Sequence, residues 1–170
     1  PNKGIIIKTP CTKSLSNKLG EILLLYEKDS QIIDDKKKIN EVIRPLVSQL
    51  DQIPLDKRWL VTCEGAFSYF AKDFGLKELY LWPMNSEQVG TPKQIQKVVD
   101  GVLENNIPVI FCESTVNTRP AKRVARDTGV AYGGELYVDS LSHSDGKVPT
   151  FLDLLRVTST TVINGIVDNL

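Results

Sequence analysis

Val61-Thr62-Cys63-Glu64-Gly65-Ala66-Phe67 is the stretch that decides how this chain folds. The apolar run Trp59-Leu60-Val61 leads into a carboxylate and a glycine, and a helix-forming run follows. In an α/β protein this is a strand that ends in a loop with an acid at its tip. Ligands of open parallel sheets bind just beyond the carboxyl ends of the strands. A second acid, Asp139, follows the run Gly134-Glu135-Leu136-Tyr137-Val138. Two carboxylates at two strand ends would converge on one site, and hard cations take oxygen ligands of this kind.

The surrounding sequence keeps the same rhythm. The spacing predicts strands over 59–62, 79–82, 108–112 and 136–138. It predicts helices over 65–74, 91–104, 120–128 and 150–169. Thr91 is placed to cap the second of these helices with Pro92 at its first position, and Gly129 to stop the third. Strands alternating with helices predict an α/β fold: a four-stranded parallel sheet flanked by helices, with right-handed crossovers. Phe67, Tyr69, Phe70 and Phe74 recur at helical spacing and read as core. Upstream, Ile39, Val42, Ile43, Leu46, Val47 and Leu50 also follow a helical period, and Pro45 is expected to kink or end that helix. Ser14–Glu27 reads as a further helix. The charge cluster from Asp34 to Lys38 reads as a solvated face or loop. No internal repeat or low-complexity segment stands out.

Composition narrows the function. The 170 residues suffice for one domain with a real core. The 21 basic and 21 acidic residues balance, so no basic surplus argues for nucleic acid or an anionic membrane. The apolar stretch Ile22–Leu25 is far too short to span a bilayer. No signal peptide opens the chain, which begins at Pro1; a mature form and a fragment both fit, and export stays open. The single histidine, His143, excludes a site built mainly of imidazoles within this chain, and in its polar loop it reads as solvated. An enzyme using Cys63 or Cys112 as nucleophile would need a nearby base, so the expectation is no enzyme. An interaction module, or a lobe that keeps its fold without binding, remains a competing class.

Several longer motifs occur in order: Leu60-Val61-Thr62-Cys63-Glu64-Gly65-Ala66-Phe67-Ser68-Tyr69, Trp82-Pro83-Met84-Asn85-Ser86-Glu87-Gln88, Gly90-Thr91-Pro92-Lys93-Gln94, Cys112-Glu113-Ser114-Thr115 and Tyr137-Val138-Asp139-Ser140-Leu141-Ser142. Through them, from Ile39 to Leu170, the chain resembles the C-terminal lobe of metal-binding receptors of ABC transporters. It is most similar to the manganese branch, especially the cyanobacterial-type manganese receptor. The resemblance implies that Glu64 and Asp139 ligate a divalent metal ion. Zinc receptors of the family usually place a histidine where Glu64 stands, so the acid implies manganese, with Zn2+ or Fe2+ as alternatives. In such receptors two further ligands are histidines from an N-terminal lobe before a long connecting helix, and this chain shows neither. The implied partner is the membrane permease of an ABC transporter, and the implied location is the periplasm or the outer face of the cytoplasmic membrane. On this reading residues 1–38 are a segment of unassigned role, 39–57 the end of the connecting helix, and 58–170 the α/β lobe.

The resemblance also bears on the cysteines. A strand order of 2-1-3-4 makes the strands ending at Cys63 and Cys112 neighbours, and the related manganese receptor has a disulfide at these two places. The implied bond adjoins Glu64, which would link metal affinity to redox state. Two buried free thiols are the alternative. Cys11 has no matching partner and reads as a free thiol. Glu113 reads as a supporting or structural acid, and Ser140 and Ser142 as turn residues.

Overall fold

The computed structural model describes residues 30–84 and 90–170. In chain order the elements are α1 (Ser30–Leu50), β1 (Trp59–Glu64), α2 (Ser68–Asp73), β2 (Lys77–Trp82), α3 (Pro92–Glu104), β3 (Val109–Glu113), α4 (Arg119–Thr128), β4 (Ala131–Leu136) and α5 (Phe151–Val167). Strands alternate with helices as the sequence predicts, and the paired strands are parallel.

The period of two along the strands builds two cores. Leu60, Val109 and Phe111 face one core, which α1, α2 and α5 close with Ile43, Leu46, Ala71 and Ile163. Val61, Cys63, Ile110 and Cys112 face the other, which α3 and α4 close with Val98, Val102, Ala121 and Val124. Helices therefore cover both faces of the strand layer, as buried parallel strands require.

The layer is ordered β2-β1-β3-β4, but its backbone ladders form two pairs rather than one four-stranded sheet. β1 pairs with β2 from Trp59↔Lys77 to Glu64↔Trp82. β3 pairs with β4 from Val109↔Ala131 to Glu113↔Leu136. β1 and β3 run side by side, with the Cα atoms of Cys63 and Cys112 4.9 Å apart, yet no ladder joins them among the described residues. At the carboxyl end the reason is visible: the Glu64 amide donates to the Glu113 carboxylate, 3.1 and 3.2 Å from its two oxygens, instead of to a strand carbonyl.

Several elements depart from the sequence reading, among them β1, which runs on to Glu64, and β2, which starts at Lys77. α1 runs through Pro45, and the stretch Asp34 to Lys38 lies inside it. Proline removes only one intrahelical bond, while Ile43, Leu46 and Leu50 bury on one stripe, so packing outweighs local propensity. α2 starts at Ser68 rather than Gly65, and its brevity leaves only one apolar face. Phe67 and Phe74 are buried, whereas Tyr69 is 82% exposed and is not core. β4 begins at Ala131, not Leu136, because a bulge sets Ile110 opposite Tyr132 but Phe111 opposite Gly134. Gly133 is skipped there: a Cβ on it would lie 2.3 Å from Phe111 Cε1. α5 starts at Phe151, one residue after its cap, Thr150, whose Oγ1 accepts from the Asp153 amide at 3.1 Å.

The remaining caps follow the sequence. Thr91 and Gln94 form a reciprocal capping box, with amide-to-side-chain distances of 2.7 and 3.3 Å. Gly129 ends α4 in the left-handed region at φ 76°. Cys11, the helix expected over Ser14–Glu27 and the motif residues Asn85–Gln88 lie outside the described residues. No helix among the described residues is long and apolar enough to cross a membrane.

Candidate metal centre

β1 delivers Glu64 to the carboxyl end of the layer because five of its six residues are held by the β2 ladder. The fully buried Thr62 adds a local clamp, its hydroxyl donating to the Glu64 carbonyl at 2.7 Å. Gly65 then turns the chain. Its amide donates to the Trp82 carbonyl at 3.1 Å, and a Cβ there would meet the Tyr80 ring at 3.0 Å. The glycine of the Glu-Gly-Ala-Phe motif thus lets the Tyr80 ring lie close against the end of β1, and a side chain there would push that ring aside by a few tenths of an ångström.

Glu64 itself is half-buried. The indole Nε1 of Trp82, the residue opposite it in the ladder, donates to Glu64 Oε1 at 3.2 Å. Behind it lies Glu113, only 1% exposed, whose two oxygens accept the Glu64 amide. Burial pushes the Glu113 carboxyl up to about 7, and the nearby Glu64 charge acts in the same direction. The amides of Glu113, Glu64 and Cys63 oppose that rise by bonding to the ionised form.

Cys63 and Cys112 are joined by a disulfide across β1 and β3. Their sulfurs and a Glu113 oxygen lie within 4.8 Å of one another. Such a trio resembles a metal site by distance alone, but disulfide sulfurs are not thiolates, and the thiolate is the ligand form. In the oxidised chain the trio ties β1 to β3 directly beneath Glu64. It also leaves neither cysteine free to act as a nucleophile.

Asp139 lies beyond the end of β4, exposed, in a loop anchored on both sides. On one side the Thr158 hydroxyl of α5 binds the Tyr137 amide and carbonyl at 3.1 and 2.9 Å. On the other, Ser142 and Val148 bond through the Ser142 amide and hydroxyl at 3.0 and 2.9 Å. Asp139 has no hydrogen bond or ion pair among the described residues, and none joins it to Glu64. His143 is exposed in the same loop.

The structure therefore gathers Glu64, Glu113, Cys63 and Cys112 and leaves Asp139 on a separate loop at the same end of the strand layer. It adds Trp82, to which the sequence reading gave no role. The signal was an aromatic ending one strand where an acid ends the strand before it, but only the register turns that coincidence into a contact.

Comparison with known proteins gives the family and supports the fold. The family model described as zinc-uptake complex component A periplasmic (ZnuA) matches residues 26–165. The iron-binding protein YfeA of Yersinia pestis is 51% identical over 140 residues, covering 82% of this chain and 44% of that protein. The manganese ABC transporter substrate-binding lipoprotein PsaA of Streptococcus pneumoniae is 30% identical over 163 residues, covering 96% and 52%. The chain thus spans about half the length of these curated relatives. The solved structure of a Mn-bound periplasmic metal binding protein from Candidatus Liberibacter asiaticus superposes with a TM-score of 0.77 at 38% identity, covering 90% of this chain and 61% of that one. The periplasmic zinc binding protein TroA from Treponema pallidum shares the fold, with a TM-score of 0.72 at 16% identity over 87% of this chain and 57% of that one. With the family model matched over most of its length, the chain belongs to the ZnuA-like family of metal-binding solute-binding proteins of ABC transporters.

Proposed function

We propose that this chain is the carboxylate-bearing lobe of an extracytoplasmic metal receptor that receives a divalent ion, manganese by preference, and hands it to the membrane permease of an ABC importer. Glu64 and Asp139 are the ligands it contributes. The observation that carries the reading is the setting of Glu64: an acid at the carboxyl end of a buried parallel strand, turned by Gly65 and held by Trp82. An acid with so many fixed neighbours is placed for a partner that requires geometry, which a solvated loop acid is not. The relatives' names, iron-binding and manganese-transporting, support a transition-ion cargo. Oxygen ligands favour the harder ions, manganese and ferrous iron, over zinc. No chemistry is done on the ion; the lobe binds and releases it.

The exposure of Asp139 and its lack of partners among the described residues favour a second reading, in which the lobe keeps its fold but binds tightly only when further ligands are supplied from outside residues 30–170. Affinity rises with ligand number and rigidity, and two carboxylates are few.

Isothermal titration of the oxidised chain with Mn2+ separates the two. Saturable binding that disappears in Glu64→Ala and in Asp139→Ala, with unchanged melting, is the expected result. A folded wild-type chain that takes up no ion would establish the second reading instead. Competition by Zn2+ and Fe2+ in the same titration ranks the three affinities, with Zn2+ expected to bind more tightly than Mn2+ whichever ion is the cargo.

A further inference from the structure

Trp82 is the residue whose position the ladder fixes most directly relative to Glu64. The two are partners in register at the ends of β1 and β2. The Trp82 carbonyl accepts the Gly65 amide at 3.1 Å, so the backbone on both sides of Glu64 is tied to this residue. Its ring is 4% exposed and packs in the core beside Cys63 and Leu81. The indole therefore has little freedom to turn. Its one N–H points at Glu64 Oε1 at 3.2 Å, and Oε2 has no protein partner among the described residues.

We infer that Trp82 is a positioning residue that presents Glu64 to a metal through one oxygen rather than two, and thereby selects against Ca2+. An indole N–H is a donor only. The oxygen that accepts it has one of its two lone pairs engaged and its carboxylate turned toward the indole, so the second oxygen, with both lone pairs open, is the better placed for an ion. Calcium takes six to eight oxygens and makes frequent use of bidentate carboxylates. Transition ions manage with fewer and shorter bonds. A carboxylate held to one-oxygen binding withholds a ligand from Ca2+ while costing a smaller ion little. The inference rests on the metal reading of Glu64 and adds to it the means of discrimination.

The test is a pair of titrations, Mn2+ and Ca2+, on the wild-type chain and on Trp82→Phe, which keeps an aromatic ring in the core and removes the donor. The expected result is Mn2+ affinity lower by about 10- to 100-fold, the usual consequence of losing a residue that orients a ligand, with Ca2+ affinity unchanged or higher. If both affinities fall by the same factor, or neither moves, Trp82 is only a packing residue and the inference is overturned. If the wild-type chain binds neither ion, the second reading holds, ion binding by this lobe alone fails, and this inference falls with it. A second arm leaves Trp82 in place and serves if Trp82→Phe does not fold. In Trp59→Phe, Trp82 is the sole remaining tryptophan, and its fluorescence should shift on Ca2+ saturation, which takes Oε1 from the indole N–H, and stay nearly constant on saturation with diamagnetic Zn2+, which needs Oε2 alone. Equal shifts with both ions, or a shift with Zn2+ only, contradict the assignment.

Discussion

Glu113 is the residue whose surroundings have the clearest measurable consequence. Its carboxyl ionises at about 7 in the folded chain, against an ordinary value of 4.5, chiefly because it is buried. The unfolded chain therefore releases this proton first. Below about pH 4.5 the group is protonated in both states and costs nothing. Between about pH 4.5 and 7 the native state holds the proton that the unfolded state has lost, so stability declines as pH rises. At about 1.4 kcal/mol per pKa unit the full effect is on the order of 3 kcal/mol. Thermal melts of the metal-free oxidised chain across this range should show that decline. Glu113→Gln should flatten it and melt higher at neutral pH; a slope that survives the substitution assigns the effect elsewhere. At this scale Glu64, Asp139 and Glu113 already stand out in the sequence because each follows an apolar run, Glu113 reading there as a supporting acid. Trp82 did not stand out as a partner of Glu64, because a hydrogen bond between residues 18 apart depends on strand register, which sequence does not print.

Among the elements, the link between β1 and β3 matters most. The two strands share no ladder, so the Cys63–Cys112 bond and the Glu64 amide on Glu113 join their carboxyl ends. The bond closes a loop with a sequence separation of 49. For a loop of that length chain entropy gives about 4 kcal/mol of stabilisation. Reduction, or Cys63→Ser with Cys112→Ser, should lower the denaturant midpoint accordingly. Because the freed strand end carries Glu64, Mn2+ affinity should weaken along with it. Equal affinity in the reduced, folded chain would disconnect redox state from the site. Element types were readable from period and caps, as in Thr91 with Gln94 and in Gly129. Boundaries were less so. Pro45 and Gly133-Gly134 are breakers by local rule, and both sit inside regular structure because buried neighbours hold them there.

For the molecule as a whole, Phe111 connects more of the fold than its size suggests. It is fully buried in β3. A Cβ on Gly133 in β4 would lie 2.3 Å from its ring, and one on Gly165 in α5 would lie 2.7 Å from it. Both glycines make room for this ring. Phe111→Ala should cost about 3–5 kcal/mol, read as a lower midpoint in denaturant. A loss below about 1 kcal/mol would mean that the core collapses around the gap.

The sequence by itself determined the class of fold, the family, the acids at the strand ends and the two cysteines placed to meet. These depend on the period of apolar residues, on caps within a few positions of one another, and on motifs long enough to be specific. Tertiary structure alone decided that the strands form two ladders, that α1 continues through Pro45, that Glu113 is buried enough to hold its proton, and that Trp82 grips Glu64 while Asp139 sits exposed on the loop after β4. Each of these turns on which distant residues share a core or a register. Burial sets the cost of a charge and the tolerance for a broken local rule, and burial belongs to the folded chain as a whole.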